Sequence, residues 1–350
     1  MRPDLTLPKY LAIGYLLVLV GVLSTVSVFI GLKWLPERVN VTQNGFRGTA
    51  MNQIVHPAAQ RLLQANNLIP ESSDPASPDG DKAVDVYENI QVLKDLSAEQ
   101  FLRVMTSITE WVAPEEGCGY CHNLENLADD SLYTKKVARR MLEMTRHINL
   151  DWKAHVANTG VTCYTCHKGN PVPANIWFTS PDPQGKPGLM ATNDGLGHPN
   201  AINASTSLQT DPLTPLLLGK EPIRIAGKTA LPAAPYGAPI QTTEQTYSLM
   251  MHMSSALGVN CTFCHNSRSF SDWSQSTPQR VTAWHGIQMA RDLNALYLDP
   301  LKTTYPANRL GPIGDAPKLN CATCHQGANK PLLGVSMAKD YPELGGTPAP

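Results

Sequence analysis

Cys118-Gly-Tyr-Cys121-His122, Cys163-Tyr-Thr-Cys166-His167, Cys261-Thr-Phe-Cys264-His265 and Cys321-Ala-Thr-Cys324-His325 are four copies of one pentapeptide, and they use all 8 cysteines of the chain. Two thiols three positions apart match the two vinyl groups of one porphyrin, and the histidine that follows is held where its imidazole meets the iron. The repeat reads as four attachment sites for haem c. Zinc knuckles also use Cys-x-x-Cys, but tetrahedral zinc gives no reason for a histidine at the same place in every copy. Disulfide frameworks seldom repeat a single spacing in this way.

The chain has 350 residues, enough for roughly two or three domains. Porphyrin faces would replace part of the side-chain core. The 29 prolines and 25 glycines imply long irregular connections, so the expected fold is mainly α with extensive irregular loops. A net charge of -1 leaves no basic surplus for phosphates, which excludes a nucleic-acid partner.

From Tyr10 to Leu32 there are 23 residues without a formal charge. A helix of that length rises about 34 Å and spans a bilayer core. Lys9 and Tyr10 flank it on one side, Lys33 and Trp34 on the other, and Pro36 ends it. A cleaved signal peptide would have a shorter apolar stretch and a small-residue cleavage site, which Leu32-Lys-Trp-Leu-Pro36 does not offer. Residues 10–32 are therefore expected to be a retained transmembrane helix. Lys and Arg balance across it, so charge does not orient it. Attachment of haem c on the outer face of the bacterial inner membrane places the remainder in the periplasm.

The motifs fall into pairs, with the longest gap between Cys163 and Cys261. Much of that gap, from Pro171 to Pro239, is rich in Pro, Gly, Asn, Ser and Thr without sustained periodicity. The chain reads as two pseudo-symmetric two-haem halves behind an N-terminal transmembrane helix. The expected segments are an anchor (1–35), an N-terminal periplasmic segment (36–96), a first half (97–170), an irregular connection (171–240), a second half (241–330) and a tail (331–350).

Two helices support the duplication. Ser97-Ala-Glu-Gln100 is a capping box followed by an apolar stripe of Phe101, Val104, Met105, Ile108 and Trp111. Thr242-Thr-Glu-Gln245 is a second box, followed by Tyr247, Met250, Met251, Ser254 and Leu257. Met105 and Met250 hold the same register after their caps. Each iron needs a sixth ligand, and these two methionines are candidates upstream of the first and third motifs.

A long helix before the second motif carries Val137, Met141, Met144, Ile148, Trp152 and His155 on one stripe. Met141 and His155 are about 21 Å apart along such a helix and cannot serve one haem. His147 points away and is expected to be solvated or structural. Periodicity does not separate Met141 from Met144. The fourth motif follows a helix beginning at Thr277-Pro278. Aligning Met289-Ala-Arg-Asp-Leu-Asn294 with Met144-Thr-Arg-His-Ile-Asn149 sets Gly286 opposite Met141. If Met141 is a ligand, Gly286 cannot take that role, and His155 is available to fill the vacancy.

The chain resembles the tetrahaem cytochrome subunit of purple bacterial photosynthetic reaction centres. The residues that carry the resemblance are Gly45-Phe-Arg-Gly48, Phe101-Leu-Arg-Val-Met105, Ala138-Arg-Arg-Met-Leu-Glu-Met144, Gly160-Val-Thr-Cys163, Thr277-Pro-Gln-Arg280 and Lys339-Asp-Tyr-Pro-Glu-Leu-Gly345. It implies the axial pairs His122 with Met105, His167 with Met141, His265 with Met250, and a bis-histidine site of His325 with His155. It also implies a propionate contact for Arg280. Thioether ligation stabilises ferrous iron, so the bis-histidine site should have the lowest potential.

The resemblance further implies partners and a direction of electron flow. The subunit would cap the reaction-centre core beside the antenna, take electrons from a soluble periplasmic cytochrome c or high-potential iron-sulfur protein, and reduce the photo-oxidised bacteriochlorophyll special pair. The implied order of sites from the core is third, fourth, second, first. One departure is that no cysteine precedes Cys118, so the lipid-modified N-terminal cysteine found in many members is absent. A multihaem reductase would need an open iron position, and four distal ligands leave none, so the chain reads as a carrier and not an enzyme. A membrane-anchored respiratory cytochrome that oxidises quinol or serves a reductase shares the single span, but the paired methionine helices do not suit it. Around the first motif, Glu115, Glu116, Glu125, Asp129 and Asp130 would attract a cationic donor, while Lys135, Lys136, Arg139 and Arg140 make the face mixed.

Overall fold

The structure, a computed structural model, describes residues 6–34, 37–179, 208, 211–223, 225 and 240–345, so most of the expected irregular connection lies outside the described residues. The chain divides into two compact units, Met1–Val41 with Ile54–Arg61, and Thr42–Gln53 with Leu62–Pro350.

The smaller unit is dominated by α1 (Thr6–Trp34), of which Tyr10–Gly31 is long and apolar enough to cross a membrane. Its large side chains, among them Leu17, Val18 and Phe29, are exposed on every side. After it, Glu37 pairs with Arg61 at 2.9 Å and Asn40 donates to Gln60. Exposed pairs of this kind add little stability.

The chain continues through β1 (Asn40–Asn44) and β2 (Met51–Val55), which form a two-stranded sheet, and then α2 (Pro57–Ala65). The rest is mainly helical: α3 (Ala83–Val86), α4 (Ala98–Val112), α5 (Tyr133–Asp151), α6 (Lys153–Val156), α7 (Cys163–His167), α8 (Ile240–Leu257), α9 (Pro278–Leu293) and α10 (Cys321–His325). Tight single turns and irregular loops join them.

Local chemistry explains the ends of these helices. Ser97 accepts from Gln100 N while its own N–H donates to Gln100 Oε1, the reciprocal box expected for α4. Extended Thr277 precedes α9 without a side-chain capping bond, and Pro278 stands at the helix's first position. Two expectations are corrected. Helix α8 starts at Ile240, two residues ahead of Thr242, so the second box lies inside it; a cap must be extended, and here the chain is already helical. The stripe from Val137 to His155 is also not one helix. It breaks at Trp152 (φ -105, ψ 28), whose indole donates to Asp292 on α9, and His155 belongs to α6. His147, expected to be solvated or structural, lies between Asp151 and Asp292 as a half-buried structural contact.

Two apolar clusters form the core. One gathers Leu93, Val104, Trp111 and Leu142 with Leu332, Tyr341 and Leu344 from the C-terminal segment. The other gathers Leu249, Ile287, Leu293 and Leu298 with Leu213, Leu216 and Leu217 from the described part of the connection. Arg103 fastens the first cluster. It donates to the carbonyls of Ser73, Asp74 and Asp340, pairs with buried Glu343 at 3.3 Å, and covers the Tyr341 ring at 4.0 Å.

Removing one partner of a buried ion pair strands the other, at a cost of about 3–5 kcal/mol. Arg103→Ala should lose that much in denaturant unfolding, and Arg103→Ala/Glu343→Ala should lose less. Equal losses in the two variants would show that the stranded charge is not the cause.

Candidate haem sites

The four motifs adopt two local geometries. The first and third lie in tight turns, Gly117–Tyr120 and Cys261–Phe263. In both, a threonine hydroxyl donates to the carbonyl of the motif's third residue: Thr134 to Tyr120, and Thr277 to Phe263. The second and fourth form the one-turn helices α7 and α10. Each of these ends in a residue with positive φ, Lys168 or Gln326, followed by a glycine with positive φ, Gly169 or Gly327.

Every motif histidine turns Nδ1 onto a backbone carbonyl. His122 meets Leu127 at 3.0 Å, His167 meets Asn170 at 2.8 Å, His265 meets Phe270 at 2.9 Å and His325 meets Ala328 at 2.9 Å. A carbonyl only accepts, so Nδ1 carries the proton and Nε2 keeps its lone pair for a metal. Burial lowers the pKa of His167 and His265, the latter aided by Arg280. Burial and neighbouring His155 push His325 down to about 4. These imidazoles are neutral at pH 7, the form that ligates.

A cavity of about 720 Å³ joins the first two sites. Met105, Cys118, Cys121 and His122 line it, and so do Met141, Cys163 and His167. Met141 and Met144 both pack, half-buried, against the other apolar cluster, and of the two only Met141 lines this cavity. Apolar walls with two thioether sulfurs and two imidazoles suit a large, flat, apolar iron ligand.

The fourth site joins two segments far apart in sequence. The ring centroids of His155 and His325 lie 6.0 Å apart, and His155 Nδ1 meets the Thr282 carbonyl at 2.9 Å. A metal-bound imidazole nitrogen sits about 2.0 Å from the metal and roughly 1.1 Å from its own ring centre, so two imidazoles on opposite sides of one metal have centroids about 6 Å apart. The pair fits. Gly286 makes room for it, because a Cβ there would stand 2.5 Å from His155 Cε1. At the third site Met250 is half-buried on α8 against the second cluster. Arg280 lies over the Trp273 ring at 4.1 Å and donates to Asp272 O and Ser276 Oγ.

The cysteines bring one difference. Cys166 and Cys324 are joined by a disulfide, because the helices α7 and α10 pack with these Cα atoms 4.3 Å apart. A sulfur in a disulfide is not free to form the thioether expected of it. Burial pushes the thiols of Cys121 and Cys264 to about 11 and those of Cys163 and Cys321 to about 12. Thiols held protonated in this way do not suit a zinc thiolate site.

Sequence reasoning missed several residues. Asn149 donates to Val161 O and Leu344 O and accepts from Val161 N; Asn294 donates to Leu217 O and Leu319 O and accepts from Leu319 N. Each clamps the chain two residues before an even-numbered motif. The aligned Met144–Asn149 and Met289–Asn294 segments contained this equivalence. Tyr305 and Arg309, from beyond α9, also line the cavity of the first two sites, and nothing local in the sequence pointed there.

Comparisons with known proteins show what the chain is similar to. The family described as "Photosynthetic reaction centre cytochrome C subunit" matches residues 35–345. The photosynthetic reaction center cytochrome c subunit of Rubrivivax gelatinosus is 51% identical over 311 residues, covering 89% of this chain and 85% of its own length. The subunit of the same name from Thermochromatium tepidum is 51% identical over 303 residues, covering 86% of this chain and 74% of its own. That of Roseobacter denitrificans is 43% identical over 338 residues, covering 90% and 88%.

Gly286→Ala should displace His155 from His325 and abolish the bis-imidazole low-spin signal in electron paramagnetic resonance of the oxidised protein. If the signal persists unchanged, the imidazole that faces His325 is not His155.

Proposed function

The chain belongs to the photosynthetic reaction centre cytochrome c subunit family, and on that premise we propose that it carries electrons from a soluble periplasmic donor to the photo-oxidised special pair of the reaction centre. The observation that carries this reading is the cavity lined together by Met105, His122, Met141 and His167, with four motif histidines locked in the ligating tautomer. Haem c, bound at all four motifs, supplies reversible one-electron iron chemistry.

The residues divide the work. Cys118 with Cys121, Cys163 with Cys166, Cys261 with Cys264, and Cys321 with Cys324 hold one porphyrin each through thioethers. Met105, Met141 and Met250 would hold iron together with His122, His167 and His265, and His155 would do so together with His325. Closed sites exclude substrate, so the protein is a carrier. Three thioether-ligated sites should sit at higher potential than the bis-imidazole one. Arg280, whose charge acts on Cys264 and His265, would meet a propionate at the third site. The sites pair into two halves, since the first motif shares its turn geometry with the third and the second with the fourth. Thioether attachment at the second and fourth motifs requires Cys166 and Cys324 as free thiols, so it excludes a disulfide between them.

The surface suggests which end meets which partner. At the first site Asp130 is tied to Arg139 and Lys135, and Asp129 to Ser131 and Asn123, while Glu115, Glu116 and Glu125 remain exposed beside Leu124 and Leu127. An acidic rim around apolar side chains suits a cationic donor. At the third site Phe270, Trp273, Val281 and Trp284 are exposed, which suits docking on the reaction-centre core beside its antenna. Helix α1 anchors the chain in the inner membrane, with the haem-binding part on the periplasmic side.

Illumination of membranes by a short flash should oxidise haem of this subunit; no oxidation would remove the photosynthetic assignment. The mass of the purified chain should equal the polypeptide with four haems, without a Cys166–Cys324 disulfide. Retention of that disulfide, with fewer than eight thioether bonds, would overturn the attachment at the second and fourth motifs.

A further inference from the structure

We propose that Lys135 raises the reduction potential of the first haem site by sharing the carbonyl that holds its motif histidine. The inference rests on the reading of His122 as an axial ligand. Leu127 O accepts from His122 Nδ1 at 3.0 Å and from Lys135 Nζ at 2.8 Å. The lysine is buried in the first turn of α5, and its ammonium also reaches Asp129 O at 2.8 Å and Asp130 Oδ1 at 3.2 Å.

The direction of the effect follows from charge. A carbonyl oxygen has two lone pairs, and a bond from an ammonium is the stronger of the two it makes here. The ammonium draws density from the carbonyl, which then accepts less well from Nδ1–H. The imidazole becomes a weaker electron donor to iron. A positive charge in a water-poor position also opposes the extra positive charge of ferric iron. Both effects favour the ferrous form. Asp130 acts against them, but it is shared with Arg139 at 2.8 Å, and the Asp129 carboxylate is turned to Ser131 and Asn123.

The molecule contains its own comparison. Among the described residues, no side-chain ammonium bonds the corresponding carbonyls of Asn170, Phe270 or Ala328. Thr134 and Thr277 occupy matching positions, and the residue after each is Lys135 at the first site but Pro278 at the third. Proline has no side-chain donor, so the third site cannot make this contact.

Fastening the loop between Asn123 and Ser131 is the alternative role for Lys135, and potentials separate the two. In redox titration of membranes carrying the full complex, Lys135→Gln should lower the ratio of reduced to oxidised first haem about tenfold at a fixed ambient potential, about 59 mV for one electron. The other three haems should not move, and Lys135→Arg should restore most of the shift. Asp130→Asn, which removes the opposing carboxylate, should move the first haem upward. It decides the matter if Lys135→Gln fails to assemble. An unchanged or lowered first potential in Asp130→Asn, or an equal shift of all four haems in Lys135→Gln, overturns the proposal. Wild-type protein without haem at Cys118 and Cys121 would instead overturn the ligand reading itself.

Discussion

The hydrogen bond from each motif histidine's Nδ1–H to a carbonyl downstream is the contact on which the four sites depend. It settles the tautomer, the ring plane and the direction of Nε2 before any metal binds. The two local geometries are two ways of delivering that carbonyl. At His167 and His325 a left-handed residue and a glycine fold the chain back within three residues. At His122 and His265 the acceptor comes five residues later, from a longer loop that must be pinned elsewhere. Asn123 and Asn266 open these loops by bonding the backbone N–H two residues on, and Thr134 and Thr277 tie the following helix to the motif.

The helices serve the same constraint from the other side. Asn149 near the end of α5 and Asn294 just after α9 make matching three-bond clamps on the segments that lead into Cys163 and Cys321. Neither is replaceable by an apolar residue without leaving buried backbone groups unpaired. Arg146 and Arg291 add a second tie, Arg146 to Glu343 O and Arg291 to Leu216 O and Glu221 O. The C-terminal segment in one case, and the turn near Leu216 in the other, are drawn into the core by these polar contacts as well as by their leucines.

What could be read from the sequence was what is local and periodic. The pentapeptides, the Ser97 cap, the Thr277-Pro278 start and the candidate methionines all depend on spacing within a few turns of chain. What could not be read depends on distant partners. The break at Trp152 is set by Asp292, 140 positions away. The buried turn of Thr214–Leu218 is a five-residue element, too short to show a period, in a stretch whose composition reads as loop. Cys166 and Cys324 meet across 158 positions, and no motif spacing announces it. Met141 and Met144 lie between these cases: one helix face is wide enough to hold both, and the structure separates them only in that Met141 lines the cavity.

His155 brings together segments far apart in the chain. It stands on the short helix after the break at Trp152, and its ring centroid lies 6.0 Å from that of His325. Its Nδ1 is held by a carbonyl of α9, and its ring occupies the space that Gly286 leaves without a side chain. With glycine there, α6 packs on α9, so the break after α5 that periodicity failed to foresee is also what brings His155 to its place.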